Sequence, residues 1–387
     1  MNIPRVAVIC DLKEEGWPSM DLVAEMLLDN LRSNHSDAVK ATPLCPAMRR
    51  RFTTSFQASP FAFNADRLIN RFWDYPRYLR SVRNEFDLFH LVDHSYSQLA
   101  HELPDNRVIV TCHDIDSFRC LTDPARDRRG RMFRAMVKRI LKGFRKAARV
   151  TCDSVATRDE VIRHGLLSPE KVVVIPNGVH PAYSPEPVAQ ADRKATRLLG
   201  PASADCIDIL HVGSTIQRKR IDVLLRVFAA LLKEFPQARL IRVGGAFTAA
   251  QSALAAELNL SKAIITLPFL ERDVLAAVYR RAALVLQPSD GEGFGLPVIE
   301  AMASGASVIA SDIPVLKEVG GTAAAYCRVA NVSEWSEQAV ALIHERFTNP
   351  DLWSARQAAG LAQAGKFTWA VYAQKVTRLF EEVLNDI

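Results

Sequence analysis

The 387-residue sequence lacks three features that would each assign it to a class of protein. No stretch approaches the ~20 uninterrupted apolar residues of a membrane-spanning helix. No signal peptide is apparent, because the apolar run VAVIC near the start is short and is followed by charged residues. The G-x-G-x-x-G loop typical of nicotinamide and flavin sites is also absent. The sequence therefore predicts a cytoplasmic protein and gives no support for a dinucleotide cofactor.

Cysteine pairs are also lacking. The total is seven, an odd number, and no two cysteines form a C-x-x-C motif. This scatter predicts reduced structural thiols and argues against a disulfide framework or a zinc site. The positions are Cys10, Cys45, Cys112, Cys120, Cys152, Cys206 and Cys327.

The positive charge of the chain is uneven, since the excess of Lys and Arg lies in residues 1–180. Residues 126–149 hold eleven basic side chains and one acid, with apolar residues at helical spacing between them. This pattern predicts an amphipathic helix with a cationic face. Three interpretations of that face stay open: a solvated surface, a peripheral contact with an anionic membrane at its inner face, or a site for an acidic acceptor. Nothing in the pattern favours nucleic acid.

Short apolar strands alternate with helices twice along the chain. Such alternation predicts a mostly parallel sheet covered on both faces, formed once in each half. The fold class is therefore α/β, with two doubly wound domains facing each other across a cleft, joined by a Pro- and Gly-rich linker over 175–187. The predicted strands cover 4–10, 86–92, 107–112, the segment AARVTCDS and the segment KVVVIPNGV in the first half, and 207–214, 238–245, 263–269, 283–289 and 306–311 in the second.

Polar residues that follow parallel strands lie on the ligand-binding edge of such a sheet. Gly16 lies in the loop after the first strand, and His113 follows a later one with Asp114 and Asp116. His113 is therefore either a site residue or a structural histidine. Residues 41–82 are basic and aromatic, and they predict either an acceptor groove or helices packed on a sheet; the aromatics are Phe56, Phe61, Phe63, Phe72, Trp73, Tyr75 and Tyr78.

The stretch QPSDGEGFGLPVIEAMASG, residues 287–305, carries the strongest signal of the chain. Pro297 is suited to the first position of a helix and Gly305 to its end, which places Glu300 in the first helical turns and Glu292 in the loop before it. Amides of the Gly-Phe-Gly turn then lie at a helix N-terminus, where donors and the dipole favour an anion. Carboxylates beside an anion site suit a ligand with hydroxyls and phosphate, such as a nucleotide sugar.

Two motifs resemble the retaining glycosyltransferases of family 4. The E-x7-E spacing of Glu292 and Glu300 is similar to the donor motif of that family, and HVGSTIQRKRIDVLL resembles its second element, with Gly213 at a strand end and Lys219 as the phosphate-binding lysine. The resemblance implies a GT-B fold of two Rossmann-like domains. Residues 1–183 would hold the acceptor and residues 184–365 the nucleotide sugar. A helix over 366–387 would pack back on the first domain.

The resemblance also implies roles for individual residues. Glu292 would contact hydroxyls of the donor sugar and Glu300 the ribose, while Arg218 and Lys219 would neutralise the diphosphate. His113 would lie near the reacting carbon of the sugar. The remaining implied binding residues are Gly16, Gly213, Phe269, Leu270, Gly293, Phe294, Gly295 and Leu296. Two positions depart from the family pattern: Ser214 replaces a frequent arginine, for which Arg218 would substitute, and the paired glycines of the first loop are reduced to Gly16.

The predicted activity is transfer of a sugar, with retained anomeric configuration, from a nucleotide-diphosphate donor to a hydroxyl. The acceptor would be a glycan, a lipid-linked molecule or a small molecule. The family implies neither a metal nor a cofactor beyond the co-substrate, a UDP- or GDP-sugar. Two alternatives stay open: an epimerase or hydrolase of sugar nucleotides on the same fold, and a noncatalytic subunit that binds a nucleotide sugar.

Overall fold

The computed structural model describes residues 3–53, 59–201 and 206–386, so Phe56 of the aromatic segment lies outside the described residues. The chain divides into two compact units. The first unit comprises Met1–Gly178 together with Trp369–Ile387, and the second comprises Val179–Thr368. Residues 175–187, the predicted linker, form no helix or strand; Val179 makes an isolated bridge with Thr368.

The first unit is built on a parallel six-stranded sheet. Its inner strands are short and largely apolar, which is the pattern of strands buried on both faces, while the edge strand Lys40–Leu44 is partly exposed. The spatial order is β2-β1-β3-β4-β5-β6, so the chain reverses its direction of travel across the sheet between β1 and β3. The strands are β1 Arg5–Ile9, β2 Lys40–Leu44, β3 Leu88–Leu91, β4 Val108–Cys112, β5 Arg149–Cys152 and β6 Val172–Val174.

Helices connect these strands and cover the sheet. Sequence signals fix several helix starts: the Ser59 hydroxyl accepts a hydrogen bond from the Ala62 amide at the start of the second helix, and the Ser154 hydroxyl accepts one from the Thr157 amide at the start of the sixth. The α-helices are α1 Pro18–Asn34, α2 Pro60–Ile69, α3 Tyr75–Val82, α4 Arg119–Thr122, α5 Arg131–Lys146 and α6 Val155–Arg163. A π-helical stretch spans Asn70–Asp74, and 3-10 turns span Lys13–Glu15, Arg83–Glu85, His94–Glu102, Asp116–Phe118 and Pro169–Lys171.

The second unit holds another parallel six-stranded sheet, in the order β12-β11-β10-β7-β8-β9. Here the chain reverses its direction of travel between β7 and β10, which are hydrogen-bonded neighbours. The strands are β7 Ile207–Val212, β8 Ala238–Val243, β9 Ile264–Leu267, β10 Leu284–Gln287, β11 Val308–Ser311 and β12 Ala325–Cys327.

The helices of the second unit lie between those strands and after the last of them. Apolar faces of the helices and both sheet faces bury a core in which Trp335 and Phe228 are fully enclosed. The helices are α7 Ala189–Leu199, α8 Ile221–Glu234, α9 Ala249–Glu257, α10 Arg272–Arg281, α11 Leu296–Ala303, α12 Pro314–Gly320, α13 Val332–Thr348 and α14 Pro350–Ala364. A 3-10 turn spans Gln217–Lys219.

One further helix, α15 Trp369–Asn385, belongs to the first unit although it follows the second in the chain. It packs on α1, and the Phe380 ring meets the buried His90 ring edge-on at 5.6 Å between centroids. Arg149 donates to the carboxylate of Asp386 at 3.0 Å. The first unit thus combines segments from opposite ends of the sequence.

The two doubly wound α/β units confirm the predicted fold class, but several predicted bounds were wrong. The basic helix spans Arg131–Lys146 and not 126–149, because Gly130 caps its start and Arg149 begins β5. Strands β2 and β12 were not predicted. Both are edge strands, where a short length and a proline such as Pro43 are tolerated.

Two further features of the described residues concern the cysteines and the possibility of a membrane-spanning helix. All seven cysteines are free thiols. Within residues 3–53, 59–201 and 206–386, no helix has both the length and the apolarity that crossing a bilayer requires.

Candidate functional site

The second sheet presents a site where its strand order reverses. In open α/β sheets, ligands bind outside the carboxyl ends of the strands at such a point. Gly213 directly follows β7, and the loop that carries Glu292 follows β10. The predicted donor residues of two separate motifs therefore meet at one edge of one sheet.

Two glycines bring the backbone of adjacent loops into contact at this edge. Gly244, just after β8, has a φ of +122°, and a Cβ added there would lie 2.1 Å from the carbonyl oxygen of Gly213. No side chain fits in that space. The loop after β7 is therefore held against the end of β8, and its 3-10 turn presents Arg218 and Lys219.

Glu292 is the centre of a buried ion cluster. Its carboxylate accepts a hydrogen bond from Lys219 Nζ at 2.7 Å and lies 3.6 Å from Arg218 Nη1. Gln287 Nε2, at the end of β10, donates to the same carboxylate at 2.7 Å. Arg218 also donates to the Gly291 carbonyl at 2.9 Å. The two predicted phosphate cations and the predicted sugar-binding acid are thus direct neighbours.

The cations decide the charge state of Glu292. Burial alone would raise the pKa of this carboxyl, but the charges of Lys219 and Arg218, with hydrogen bonds from Lys219 and Ser289, hold the pKa below its ordinary value. Glu292 is therefore ionised at neutral pH. Two cations and one ionised carboxylate thus lie together at this edge of the sheet, and cations are the groups that bind an anionic ligand.

Helix α11 begins beside this cluster. Gly295 caps it with a φ of +100°, where an added Cβ would lie 2.7 Å from Leu316 Cδ2, so glycine is required. The helix begins at Leu296, one residue before the predicted start, and Pro297 stands second, where its missing N–H costs no helical bond. Gly293 and Phe294 lie in the loop before the cap, so their amides are near a positive dipole end.

Glu300 lies on α11, buried against two tyrosines. Tyr279 donates its hydroxyl to Glu300 Oε2 at 3.0 Å, and Tyr183 is a second hydrogen-bond partner. Burial raises the pKa of Glu300 to about 7, although the two tyrosines and Arg272 oppose the shift. Glu300 is thus partly protonated near neutral pH, unlike Glu292.

Phe269 and Leu270, two of the binding residues that the family resemblance implies, lie in the connection between β9 and α10. They line a surface pocket of about 390 Å³, and the Phe269 ring is 65% exposed. The other lining residues are Lys194, Arg197, Leu198, Glu271 and Val274. An exposed aromatic ring at the sheet edge is a surface on which a flat heterocycle can stack.

The first sheet reverses its order between β1 and β3, and two acids follow those strands. Asp11 comes after β1 and Asp93 after β3; both side chains are buried. Burial, and then the charge and hydrogen bond of Asp93, raise the pKa of Asp11 well above its ordinary value. Burial opposes ionisation of Asp93, but His94, His113 and Ser95 outweigh it and lower its pKa. The two neighbouring acids thus differ: the surroundings favour the neutral form of Asp11 and the ionised form of Asp93. Gly16 ends the 3-10 turn of the adjacent loop with a φ of +66°.

His113 follows β4, and both of its ring nitrogens have partners within the first unit. Nδ1 lies 2.6 Å from Asp153 Oδ2, and Nε2 lies 2.7 Å from the Val92 carbonyl oxygen. Asn177 donates to the same Asp153 oxygen at 2.9 Å. Burial would lower the pKa of His113, but the charge and hydrogen bond of Asp153 outweigh it and raise the pKa to about 10. His113 is therefore an imidazolium that donates from both nitrogens. Contact with a donor sugar stays a prediction.

The basic helix α5 borders an apolar groove of about 570 Å³ on the surface of the first unit. Trp73 is 63% exposed and Met132 is 84% exposed, so large apolar surface faces solvent there. Arg139 supplies a cation to the lining. The apolar lining residues are Leu68, Ile69, Phe72, Trp73, Met132, Ala135 and Met136. Part of the aromatic segment 41–82 thus forms an open groove, while Tyr75 is buried in the core.

The structure adds site residues that the sequence did not single out. Gln287, Tyr279 and Tyr183 hold the two glutamates in the second unit. In the first unit, Asp11, Asp93, Asp153 and Asn177 all follow parallel strands directly or within a few residues. Their position after a strand was the sequence signal that could have identified them. The tyrosines carry no comparable signal, because their pairing with Glu300 spans distant parts of the sequence.

Two family models match the chain. The model for glycosyl transferases group 1 matches residues 201–355, and the model for glycosyltransferase family 4 matches residues 36–183. The first match contains Gly213, Lys219, Glu292 and Glu300. Together the two matches cover most of the chain.

Curated relatives are similar over a large part of the sequence. A D-inositol 3-phosphate glycosyltransferase of Thermobispora bispora is 29% identical over 254 residues, covering 62% of this chain and 57% of that protein. The serotype-specific mannosyltransferase WbdA of Escherichia coli is 28% identical over 292 residues, covering 72% of this chain and 34% of that protein. The match spans about half the length of the inositol phosphate glycosyltransferases.

Solved structures share the fold over nearly the whole chain. Sucrose-phosphate synthase from Thermosynechococcus elongatus has a TM-score of 0.75 at 18% identity, covering 99% of this chain and 100% of the other. Anabaena Alr3699/HepE in complex with UDP and glucose has a TM-score of 0.72 at 16% identity, covering 98% and 100%. These likenesses confirm the predicted GT-B architecture.

Proposed function

Because the chain belongs to family 4 of the glycosyltransferases, we propose that it transfers a sugar from a nucleotide-diphosphate donor to an acceptor hydroxyl with retention of anomeric configuration. The main support for this proposal is the ion cluster of Lys219, Arg218 and Glu292 beside the start of α11. Two cations, a helix N-terminus and one ionised acid lie at the point of the sheet where ligands of α/β folds bind.

Each part of the cluster has a role in the proposed reaction. The bond between the anomeric carbon and the diphosphate oxygen breaks, and its electron pair leaves with the nucleotide. The acceptor oxygen forms the new bond to the anomeric carbon, and the hydroxyl proton passes to the departing diphosphate oxygen. Arg218 and Lys219 stabilise the charge that develops on that oxygen, as preorganised cations do in phosphate chemistry. Glu292 holds both cations in place and accepts hydrogen bonds from sugar hydroxyls. Retention follows either from attack on the same face or from two displacements.

The nucleoside end of the donor is assigned to Glu300 and to the β9–α10 connection. An ionised Glu300 accepts hydrogen bonds from ribose hydroxyls, and the Phe269 ring offers a stacking surface for the base. The fold relative HepE is in complex with UDP and glucose, which supports a uridine donor as the first to test, with guanosine next. Since protein cations carry the charge of the diphosphate, we propose that transfer requires no metal and persists in EDTA.

A panel of UDP-, GDP- and ADP-sugars tests the donor assignment by thermal shift. A donor that binds only the native state raises the unfolding temperature. Arg218→Ala combined with Lys219→Ala should weaken binding of the nucleoside diphosphate far more than binding of the nucleoside. Equal loss of both would contradict the diphosphate role. Arg226→Ala with Lys233→Ala, exposed cations on α8, is the matched control.

The product of the reaction separates the three candidate functions. With the donor that binds best, NMR of the anomeric proton should show transfer to an added acceptor with retained configuration. Conversion of the donor alone, to an epimer or to free sugar, would establish the epimerase or hydrolase alternative. Tight binding with no turnover for any acceptor class would establish the noncatalytic subunit.

We propose that the acceptor is lipid-linked and that the first unit meets it at a membrane surface. The groove beside α5 exposes apolar side chains next to a cationic helix, which is the combination that binds anionic lipid interfaces. Binding to phosphatidylglycerol vesicles should fall with salt and with Arg134→Glu plus Lys138→Glu. Arg226→Glu plus Lys233→Glu should leave it unchanged. Absence of binding at low salt would reject the membrane contact and leave a soluble acceptor.

A further inference from the structure

A second cationic layer lies behind the ion cluster of the second unit. Arg242 on β8 and His211 on β7 are register partners, each one residue from the carboxyl end of its strand. Both side chains are fully buried. A central sheet position normally takes an apolar residue, so an arginine there requires an explanation.

Among the residues of the second unit that the structure describes, no carboxylate forms an ion pair with Arg242. Nη1 donates to the Val243 carbonyl, whereas Nε and Nη2 have no hydrogen-bond partner among the described residues. Burial lowers the pKa of Arg242 to about 10, so the guanidinium remains charged at neutral pH. A buried charge without a partner is costly, and proteins usually pair it or remove it.

His211 does not supply the missing negative charge. Burial, and then the positive charges of Arg242 and Lys219, lower the pKa of His211 well below its ordinary value. The ring is therefore neutral. The same influence shows that Arg242 and Lys219 each lie within electrostatic range of His211.

The glycine contacts locate Arg242 relative to the loop after β7. A Cβ added at Gly244 would lie 2.1 Å from the Gly213 carbonyl oxygen and 2.9 Å from Arg242 Nη1. A Cβ added at Gly213 would lie 3.5 Å from His211 Cε1 and 3.6 Å from Lys219 Cε. The Arg242 guanidinium therefore lies close to the Gly213 carbonyl, and the Lys219 side chain lies close to the Gly213 Cα.

We propose that Arg242 is a positioning residue for the donor diphosphate, acting as a third cation behind Arg218 and Lys219. The inference rests on the proposed function, because the anion that compensates the charge of Arg242 is the diphosphate of the proposed donor. Arg242 fixes the end of β8 through the Val243 carbonyl and adds positive potential at the Gly213 loop.

Two variants separate charge from hydrogen bonding. Arg242→Gln keeps a donor for the Val243 carbonyl and removes the charge, while Arg242→Lys keeps the charge. Arg239→Gln is the matched control, since Arg239 lies on the same strand but is paired with Asp208 at 2.8 Å. Binding of UDP, GDP, ADP and pyrophosphate, and of the matching nucleosides, is measured by calorimetry.

Arg242→Gln should weaken the best nucleoside diphosphate roughly 10- to 100-fold, as expected for one charge at several ångströms in a partly buried site. The matching nucleoside should bind within about twofold of wild type, because Coulombic effects act on the charged groups alone. Equal weakening of both ligands would show a merely structural arginine and overturn the inference, as would unchanged diphosphate affinity. Wild-type protein that binds none of the diphosphates would instead contradict the proposed function.

Should Arg242→Gln fail to fold, Arg242→Lys still decides the question. Burial lowers the pKa of a lysine into the measurable range far more readily than it lowers the pKa of an arginine. Diphosphate affinity of Arg242→Lys should therefore fall as pH rises from 7 to 9, relative to wild type. A parallel pH dependence of the two proteins would overturn the inference.

Discussion

The two units place polar residues at the same point of the same topology and use them differently. Where the first sheet reverses its order, Asp11 and Asp93 form a buried acid pair, and His113 is held by Asp153. Where the second sheet reverses its order, Lys219 and Arg218 face Glu292 beside a helix N-terminus. The first arrangement pairs the His113 imidazolium with a protein carboxylate, whereas the second sets two cations against the Glu292 carboxylate.

We propose that this difference separates a supporting network in the first unit from a ligand site in the second. A charge whose partners are all protein atoms stabilises the fold, and a site with surplus charge gains its remaining partner from the ligand. A histidine that follows a strand can therefore belong to either kind of arrangement. Its hydrogen-bond partners decide which one. Both nitrogens of His113 are already engaged.

The largest expected effect lies in the second unit. Glu292→Ala should lower kcat/KM by roughly 10²- to 10³-fold, because it removes the sugar contact and releases the two cations. Glu292→Gln should retain more activity, since its amide oxygen still accepts a hydrogen bond. Steady-state kinetics with the donor found in the binding screen measures both, and circular dichroism checks the fold. If Glu292→Ala turned over like wild type, the cluster of the second unit would not be the donor site, and the proposed difference between the two units would be contradicted.

The next effect concerns stability of the first unit. Asp153→Asn should cost about 3 kcal/mol, because it leaves the His113 imidazolium buried without its counter-charge. Asp105→Asn is the control in the same unit: its pair with Lys146 is exposed and should contribute less than about 1 kcal/mol. Hydrogen exchange of the β4 and β5 amides reports the first unit separately from the second.

The pair also predicts a pH dependence. The pKa of His113 is raised from 6.5 to about 10, so its stabilising contribution is fully present below about 6.5 and is lost as pH rises through about 10. Asp153→Asn should remove that loss. If protection of β4 in wild type did not decline between pH 8 and 10 relative to the variant, His113 would not be an ion-paired imidazolium.

The smallest effect is the titration of Glu300. Its pKa of about 7 predicts that nucleoside affinity rises with pH, up to about tenfold per unit below pH 7, and levels off above it, because ribose hydroxyls donate to the ionised form. Stability has the opposite trend: the cost of burying the charged form sets in between 4.5 and about 7. Glu300→Gln should flatten both curves. Affinity of wild type that is constant from pH 5.5 to 8 would exclude Glu300 as the ribose partner.

Sequence predicted the second site better than the first for a physical reason. Glu292 and Glu300 lie in one loop-and-helix segment, and Gly213 and Lys219 in another, so local spacing encodes most of the geometry. Tyr279 and Tyr183, the hydrogen-bond partners of Glu300, come from other elements. No spacing rule connects them to Glu300.

The first site is assembled almost entirely from distant contacts. Asp11, Asp93, His113, Asp153 and Asn177 follow five different strands, and only the sheet order makes them neighbours. Each residue alone is an ordinary polar residue at a strand end. The reversal of strand order in the first sheet involves β2, which pairs on the far side of β1. This edge strand contains Pro43, and the alternating pattern did not reveal it.

The composition of the first unit has a consequence for biosynthesis. Helix α15 belongs to that unit, yet the ribosome makes it only after all of Val179–Thr368. At roughly 5–20 residues per second, the apolar surface of α1 that α15 covers waits about ten seconds or more for its partner. The second unit is therefore free to complete its fold first, and the nascent first unit is the part of the chain that a chaperone would protect.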